Sequence, residues 1–359
     1  MTRRALLSIL DQTPVVSGHS VADAVAATVE LATLADDLGY TRFWCAEHHG
    51  LRAVANPAPE VMLARIGAAT RRVRIGSGGV MLPYYSPFKV AEQFLMLEAL
   101  FPNRIDLGVG RAPGGDQRTA QAVAAGEYNR GEFFPQQAEE LAMLLGLQML
   151  GRHMLASGVP ALPDDHLAHG VVLQPAVDTR PQLWMLGSSD FGGALAAKLG
   201  YRFAFAQFIN AAGGSGVSRA YRKNFVAREG EPRPYSAVAV FAICADNDDE
   251  AAALSRAVDL RRLQMALGQN TTIPSVEEAR EVFESGQLGE REQAVMARER
   301  PRSIIGSPTM VAERLLELQA EFAADEIVVL TVAASYRARL RSYELLAEAF
   351  DLSRATEAT

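Results

Sequence analysis

The residues best suited to chemistry fall in four short runs. The first is Glu47-His48-His49, directly after the apolar Trp44-Cys45-Ala46. Imidazole titrates near neutral pH, so a histidine at the end of a strand can act as general acid or base. The triplet also has metal-binding residue types. Adjacent strand residues face opposite ways, however, and His19, His153, His166 and His169 fall in expected loops. A purely structural histidine pair is the third reading. The second run is Gly76-Ser77-Gly78-Gly79-Val80-Met81-Leu82-Pro83. Glycines weaken a strand, so they point to a bulge or to close approach of a flat ligand to the backbone. The third, Gly108-Val109-Gly110-Arg111 followed by a glycine-rich loop, offers a guanidinium as a phosphate ligand or a solvated turn residue. The fourth, Gly187-Ser188-Ser189-Asp190, precedes a helical stretch. Its free N–H groups, hydroxyls and helix dipole suit an anion, and Ser189 or Asp190 suits an ordinary N-cap.

Each run needs a strand end to position it. Short apolar runs alternate with amphipathic stretches along the chain, the pattern of a parallel sheet. Eight strands are expected: Ala5–Leu10, Arg42–Ala46, Val73–Met81, Ile105–Gly108, Leu183–Leu186, Phe203–Ala206, Ala237–Cys244 and Glu326–Thr331. Helices are expected at Val21–Leu38, Pro57–Ala69, Pro87–Leu100, Pro308–Phe322 and Ala338–Phe350. Pro at a first helical turn and Gly39 as a stop set several of these bounds. A doubly wound sheet would place a glycine fingerprint after strand one, where Asp11-Gln12-Thr13-Pro14 stands instead. The fold class expected is therefore α/β, a TIM (β/α)8 barrel. One domain would span 1–359, with insertions at about 151–180, after strand four, and 268–307, before helix eight. Barrel enzymes collect their chemistry at the C-terminal strand ends, where all four runs fall.

The 359 residues are 49% hydrophobic, ample for such a core. A net charge of -7 without a basic patch argues against nucleic acid. No apolar stretch approaches a membrane span and no signal peptide is evident, so a cytoplasmic protein is expected. The two cysteines, Cys45 and Cys244, lie in apolar runs and read as reduced core thiols.

The sequence resembles the bacterial luciferase-like flavin monooxygenases, with a pattern like that of the luciferase α subunit. The resemblance rests on Phe43-Trp44-Cys45-Ala46-Glu47-His48-His49, Asn56-Pro57, Ile75 through Pro83 with Pro87, Ala91-Glu92-Gln93 and Gly108-Val109-Gly110-Arg111. Arg341-Ser342-Tyr343-Glu344-Leu345-Leu346-Ala347 is typical of single-chain relatives. The match implies an oxygenase that uses reduced FMN and dioxygen on an aldehyde, ketone or other organic small molecule. His48 would be the catalytic histidine. Arg111, Ser188 and Ser189 would hold the FMN phosphate, and Gly78-Gly79, at a non-proline cis peptide, would lie under the flavin ring. The 268–307 excursion matches the family's lid. No nicotinamide fingerprint is present, so a separate flavin reductase would supply the reduced cofactor. A homodimer is expected by analogy. Tyr84, Tyr85 and Phe88 would line the substrate pocket or pack against the next helix. Gly110 replaces the luciferase cysteine next to the arginine, which makes light emission doubtful. The same fold would also suit a deazaflavin-dependent dehydrogenase or a non-catalytic flavin-binding protein.

Overall fold

The computed structural model describes residues 5–352 apart from 112–115, 127–130, 147–161, 229 and 287. Nine strands run in chain order: β1 (Leu6–Asp11), β2 (Arg42–Cys45), β3 (Arg74–Met81), β4 (Ile105–Gly110), β5 (Gln182–Gly187), β6 (Arg202–Ala206), β7 (Ser236–Cys244), β8 (Ser303–Gly306) and β9 (Glu326–Leu330). All pair in parallel. All but β8 close into a TIM barrel, because β6 pairs with β7 and β9 pairs with both β7 and β1. The helices are α1 (Val21–Leu38), α2 (Pro59–Ala69), α3 (Pro87–Leu100), α4 (Gln117–Val123), α5 (Phe134–Leu144), α6 (Asp190–Leu199), α7 (Gly214–Asn224), α8 (Asp248–Ala266), α9 (Val276–Glu284), α10 (Glu290–Glu299), α11 (Pro308–Phe322) and α12 (Tyr336–Ala349).

Strand alternation divides the apolar residues into two layers. Leu7, Ile9, Phe43, Cys45, Ile75, Val238, Val240, Ile327 and Val329 face outward and pack under the helices. Leu10, Trp44, Trp184, Ala204, Ala237, Ala239, Val328 and Leu330 fill the barrel interior. Both cysteines are buried and free, and burial pushes both thiols up. The helices carry local stop and start signals. At α1, Ser20 and Asp23 form a reciprocal capping box, and Gly39 ends the helix at φ 86°, where a Cβ would be strained.

All eight expected barrel strands are present. Five start one residue away from expectation: β1 at Leu6, and β3, β5, β6 and β7 at the polar Arg74, Gln182, Arg202 and Ser236. Those polar starts are a structural device. Arg42, Arg74, Gln182, Arg202 and Glu326 begin β2, β3, β5, β6 and β9 and meet across the N-terminal mouth of the barrel. Arg42 donates to Glu326 at 3.0 Å, to Asp106 of β4 at 2.8 Å and to Gln182 at 3.0 Å. Arg74 reaches the other Asp106 oxygen at 2.7 Å. Trp44 Nε1 donates to Asp106 at 3.0 Å, Tyr235 donates to Glu326 at 2.7 Å, and Ser8 also donates to Glu326. Burial would raise the Asp106 carboxyl, but the Arg42 and Arg74 guanidinium groups outweigh it and hold the group below the ordinary carboxylate range.

The 268–307 excursion is structured, and its charged interior, Val276–Arg298, which the sequence marks as a helical candidate, carries α9 and α10. It holds α9, α10, a single 3-10 turn (Arg300–Arg302) and β8, which pairs with Phe241–Cys244 of β7 on the edge opposite β9, beyond the stretch where β6 pairs. Only that pairing makes Ser303-Ile304-Ile305-Gly306 a strand, since four residues carry no readable period. The excursion is tied to the barrel mouth. Ile273 exchanges backbone hydrogen bonds with Val15 and Ser17, and Asn270 bonds the backbone at Gly50 and Arg52. Of the earlier insertion, 151–161 lie outside the described residues. The rest, Leu162 to Pro181, contains no helix or strand. The segment between β4 and β5 also carries α4 and α5, and α8 follows β7; sequence periodicity had assigned none of these helices.

Candidate active site

The C-terminal mouth of the barrel opens on two adjoining cavities, of about 280 Å³ and about 560 Å³. The smaller one is lined by His48, Gly78, Gly79, Arg111, Ser188 and Ser189 together. These are the six residues singled out from sequence, drawn from the ends of β2, β3, β4 and β5.

At one end is an anion cradle. Ser188 and Ser189 follow β5, and α6 begins at Asp190. Ser189 occupies the N-cap position, but its side chain makes no capping hydrogen bond, so the capping alternative does not use up its hydroxyl. Asn210 donates to the Ser188 carbonyl at 2.9 Å and fixes the turn. The exposed Arg111 guanidinium stacks on Phe191, in the first turn of α6, at 4.3 Å. A guanidinium, two hydroxyls and a helix N-terminus at one spot are the donor set for a phosphate. The glycine-rich loop 112–115 lies outside the described residues.

The floor is β3. Its pairing register with β4 shifts between Gly78 and Val80, and the Gly78-Gly79 peptide is cis. A Cβ at Gly78 would lie 2.6 Å from Leu10 Cδ1; at Gly79 it would lie 2.4 Å from Leu186 Cδ1 and 2.7 Å from the Gly108 carbonyl oxygen. No side chain fits at either position, so the floor is bare backbone. At Gly110 an added Cβ would meet nothing within 4 Å. The glycine that replaces the luciferase cysteine therefore stands in open space.

His48 sits where the cavities meet, since it lines both with Gln12, Phe208 and Ile209. β2 ends at Cys45, and the chain then turns so that the two histidines separate. His48 N–H donates to the Asn56 carbonyl at 3.0 Å, while its ring Nδ1 is buried with no hydrogen-bond partner. Burial pulls the imidazole down to about 4, against the opposing pull of Glu47. The ring is thus neutral at physiological pH. His49 turns to Glu47 at 2.7 Å. No group of three or more His, Cys, Asp or Glu able to hold a metal occurs among the described residues.

Sequence reading missed the role of Glu47. This buried carboxylate accepts from the Met81 backbone N–H at 3.0 Å and from the Tyr85 hydroxyl at 2.7 Å, besides its His49 contact. It links the end of β2 to the end of β3 and so sets His48 relative to the glycine floor. Tyr84, Tyr85 and Phe88 line neither cavity; Tyr85 and Phe88 pack against the outer core. Of the two readings, packing is observed for Tyr85 and Phe88, while Tyr84 sets its ring edge-on to His49 and Tyr85. The Arg341–Ala347 run is likewise structural. Ser342 Oγ accepts from Cys244 N–H at 2.9 Å, and Tyr343 Oη bridges Thr331 and Val329 of the β9 end at 3.0 and 3.1 Å.

The larger cavity lies beside β7, β9, α8 and the 268–307 excursion. Its apolar lining includes Leu51, Ala53, Val258, Ile273, Leu330 and Val332. Because α8 was not foreseen, the arginines it brings to this cavity were not foreseen either.

A family profile described as luciferase-like monooxygenase matches residues 7–325. This chain belongs to that family. It is 37% identical over 347 residues to the Bacillus subtilis (strain 168) N-acetyl-S-alkylcysteine monooxygenase, covering 96% of this chain and 97% of that one. The crystal structure of apo-MsnO8 matches at TM-score 0.85 and 36% identity, covering 97% of this chain and 98% of that chain. Two more distant structures share the fold alone. The FMN complex of the oxygenating constituent of 3,6-diketocamphane monooxygenase, from the CAM plasmid of Pseudomonas putida, has TM-score 0.67 at 16% identity, covering 96% and 97% of the two chains. An F420-dependent secondary alcohol dehydrogenase has TM-score 0.61 at 13% identity, covering 98% and 100%. The chain is an oxidoreductase of a family that acts on small molecules with dioxygen. No helix among the described residues is long and apolar enough to cross a membrane.

Proposed function

We propose that this chain is an FMN-dependent monooxygenase. It would take reduced FMN from a separate flavin reductase, work as a cytoplasmic homodimer with 1–359 as one domain, and oxidise an aldehyde, ketone or other organic substrate. The observation that carries this reading is the position of His48: neutral, with an unbonded buried Nδ1, at the junction of a backbone-floored cavity and an apolar one.

The residues present fit FMN. Arg111, Ser188, Ser189 and the α6 N-terminus would hold the phosphate, and the Gly78-Gly79 backbone would lie under the ring. Bound reduced flavin supplies the electrons that activate dioxygen. The chain's residues do the rest. The His48 imidazole, neutral at rest, accepts a proton at the junction only transiently, because its depressed basicity favours giving that proton back. Glu47 holds the β2 and β3 ends in register. The excursion, bonded to Val15, Ser17, Gly50 and Arg52, roofs the substrate side against water. The same cradle would suit a deazaflavin phosphate, so the cofactor has to be tested directly.

The test is anaerobic titration with reduced FMN and, in parallel, reduced F420, followed by mixing with aerated buffer. FMN should bind, and its reoxidation should be slow and coupled to product. His48→Ala should keep FMN affinity but speed uncoupled reoxidation. Preferential binding of F420, without reaction with oxygen, would make the chain a dehydrogenase. Unchanged coupling in His48→Ala would remove His48 from the chemistry.

A further inference from the structure

The larger cavity is unevenly charged. Arg261 and Arg262 of α8, Arg298 of α10 and Arg302 of the 3-10 turn line it, against a single acid, Glu299. That acid is already engaged: its carboxylate pairs with Arg298 at 3.2 Å and Arg302 at 2.8 Å, and its backbone carbonyl accepts from Arg262. Arg300, on the same turn, pairs with Asp259 at 2.8 Å. Arg261 has no acidic partner among the described residues, and its Nη1 is buried without a hydrogen-bond acceptor. Burial pulls its pKa below the ordinary arginine value. A buried guanidinium N–H with no acceptor is costly to the folded chain, and a planar carboxylate is the acceptor that matches its fork.

We propose that the substrate of this enzyme is an organic carboxylate, an apolar body with an acidic head held by Arg261. The proposal rests on the larger cavity being the substrate side of the flavin site. The apolar lining at Leu51, Ala53, Val258, Ile273, Leu330 and Val332 takes the body. The head meets the Arg261 guanidinium where it lines the cavity, a small turn of the side chain bringing the orphaned Nη1 to it, and offsets the arginine excess. His48, which lines this cavity as well as the smaller one, stands on the path between the bound acid and the cofactor.

Calorimetric titration of the FMN-loaded chain with octanoate and with octanamide tests this. The two probes share an apolar tail and differ in charge. Octanoate should bind roughly tenfold or more tightly than octanamide, the scale of one charge-assisted hydrogen bond. Arg261→Met should abolish the preference, and Arg261→Lys should restore part of it. Equal affinities, no binding of octanoate, or an unchanged preference in Arg261→Met would each overturn the proposal. If Arg261→Met does not fold, the ratio in the unmodified chain still decides. FMN affinity is measured separately: failure to bind FMN would sink the cofactor reading, and a carboxylate preference in the FMN-free chain would stand without it.

Discussion

The two ends of the barrel solve opposite problems. At the N-terminal mouth, buried charges are numerous and matched: both oxygens of Asp106 and both of Glu326 have donors, and Arg42 lies between the two acids. At the C-terminal mouth, matched and unmatched groups stand side by side: the buried Glu47 carboxylate has three partners, while His48 Nδ1 and Arg261 Nη1 have none. Burial acts on both ends alike. At the base it is outweighed by close opposite charges, so Asp106 stays ionised. At the top nothing outweighs it, so His48 stays neutral. The contrast separates holding the fold from holding a ligand.

Asp106→Ala would break that contrast at its strongest point. It strands Arg42, Arg74 and Trp44 Nε1 in the barrel base and should cost about 3–5 kcal/mol of stability, read by urea unfolding. FMN affinity of the folded fraction should not change. The acid dependence follows from the same carboxyl. Its folded pKa is depressed, so its contribution is full above the unfolded value of about 3.9 and is lost as pH falls through the lower folded value. The variant should therefore lose less stability on acidification than the parent chain.

Arg111→Ala tests the other end. FMN binding should weaken by about 1.5–3 kcal/mol, the worth of a charged hydrogen bond, with no change in the urea midpoint, since Arg111 is exposed and packs on Phe191 alone among the described rings. A fallen midpoint with intact FMN affinity would make Arg111 a structural residue and blur the two ends. The smallest effects separate two glycines of the same mouth. Gly79→Ala forces a Cβ against Leu186 and the Gly108 carbonyl, so overpacking should cost about 1–3 kcal/mol. Gly110→Ala enters open space and should stay within about 0.5 kcal/mol. Equal losses at both would mean that the floor is not as tightly closed as the contacts indicate.

The parts of this site that were legible in the sequence are those whose signal is local. Gly78-Gly79 stood out because glycines are wrong for a strand, Ser188-Ser189 because they precede a helix, and His48 because it ends an apolar run. Strand order and barrel closure followed from alternation. The illegible parts depend on distant partners. Gln182 and Arg202 looked like residues outside their strands, because a polar side chain at a barrel end has no apolar period. Glu47 looked like one member of a metal triplet, and only the Met81 N–H at the end of β3 and the Tyr85 hydroxyl just beyond it make it a clamp. The α8 arginines carried no signal, since nothing in Arg261-Arg262 says whether water or a cavity wall surrounds them.

The sequence by itself determined the eight barrel strands, half of the twelve helices among the described residues (α1, α2, α3, α6, α11 and α12) and which residues stand at the C-terminal mouth. Those properties come from local propensity and from a hydrophobic period that repeats along the chain. Tertiary structure alone decided which polar groups found partners. Whether a buried charge is matched or orphaned depends on side chains hundreds of positions away, as Arg42 and Glu326 are, and on the few ångströms between them once the barrel has closed.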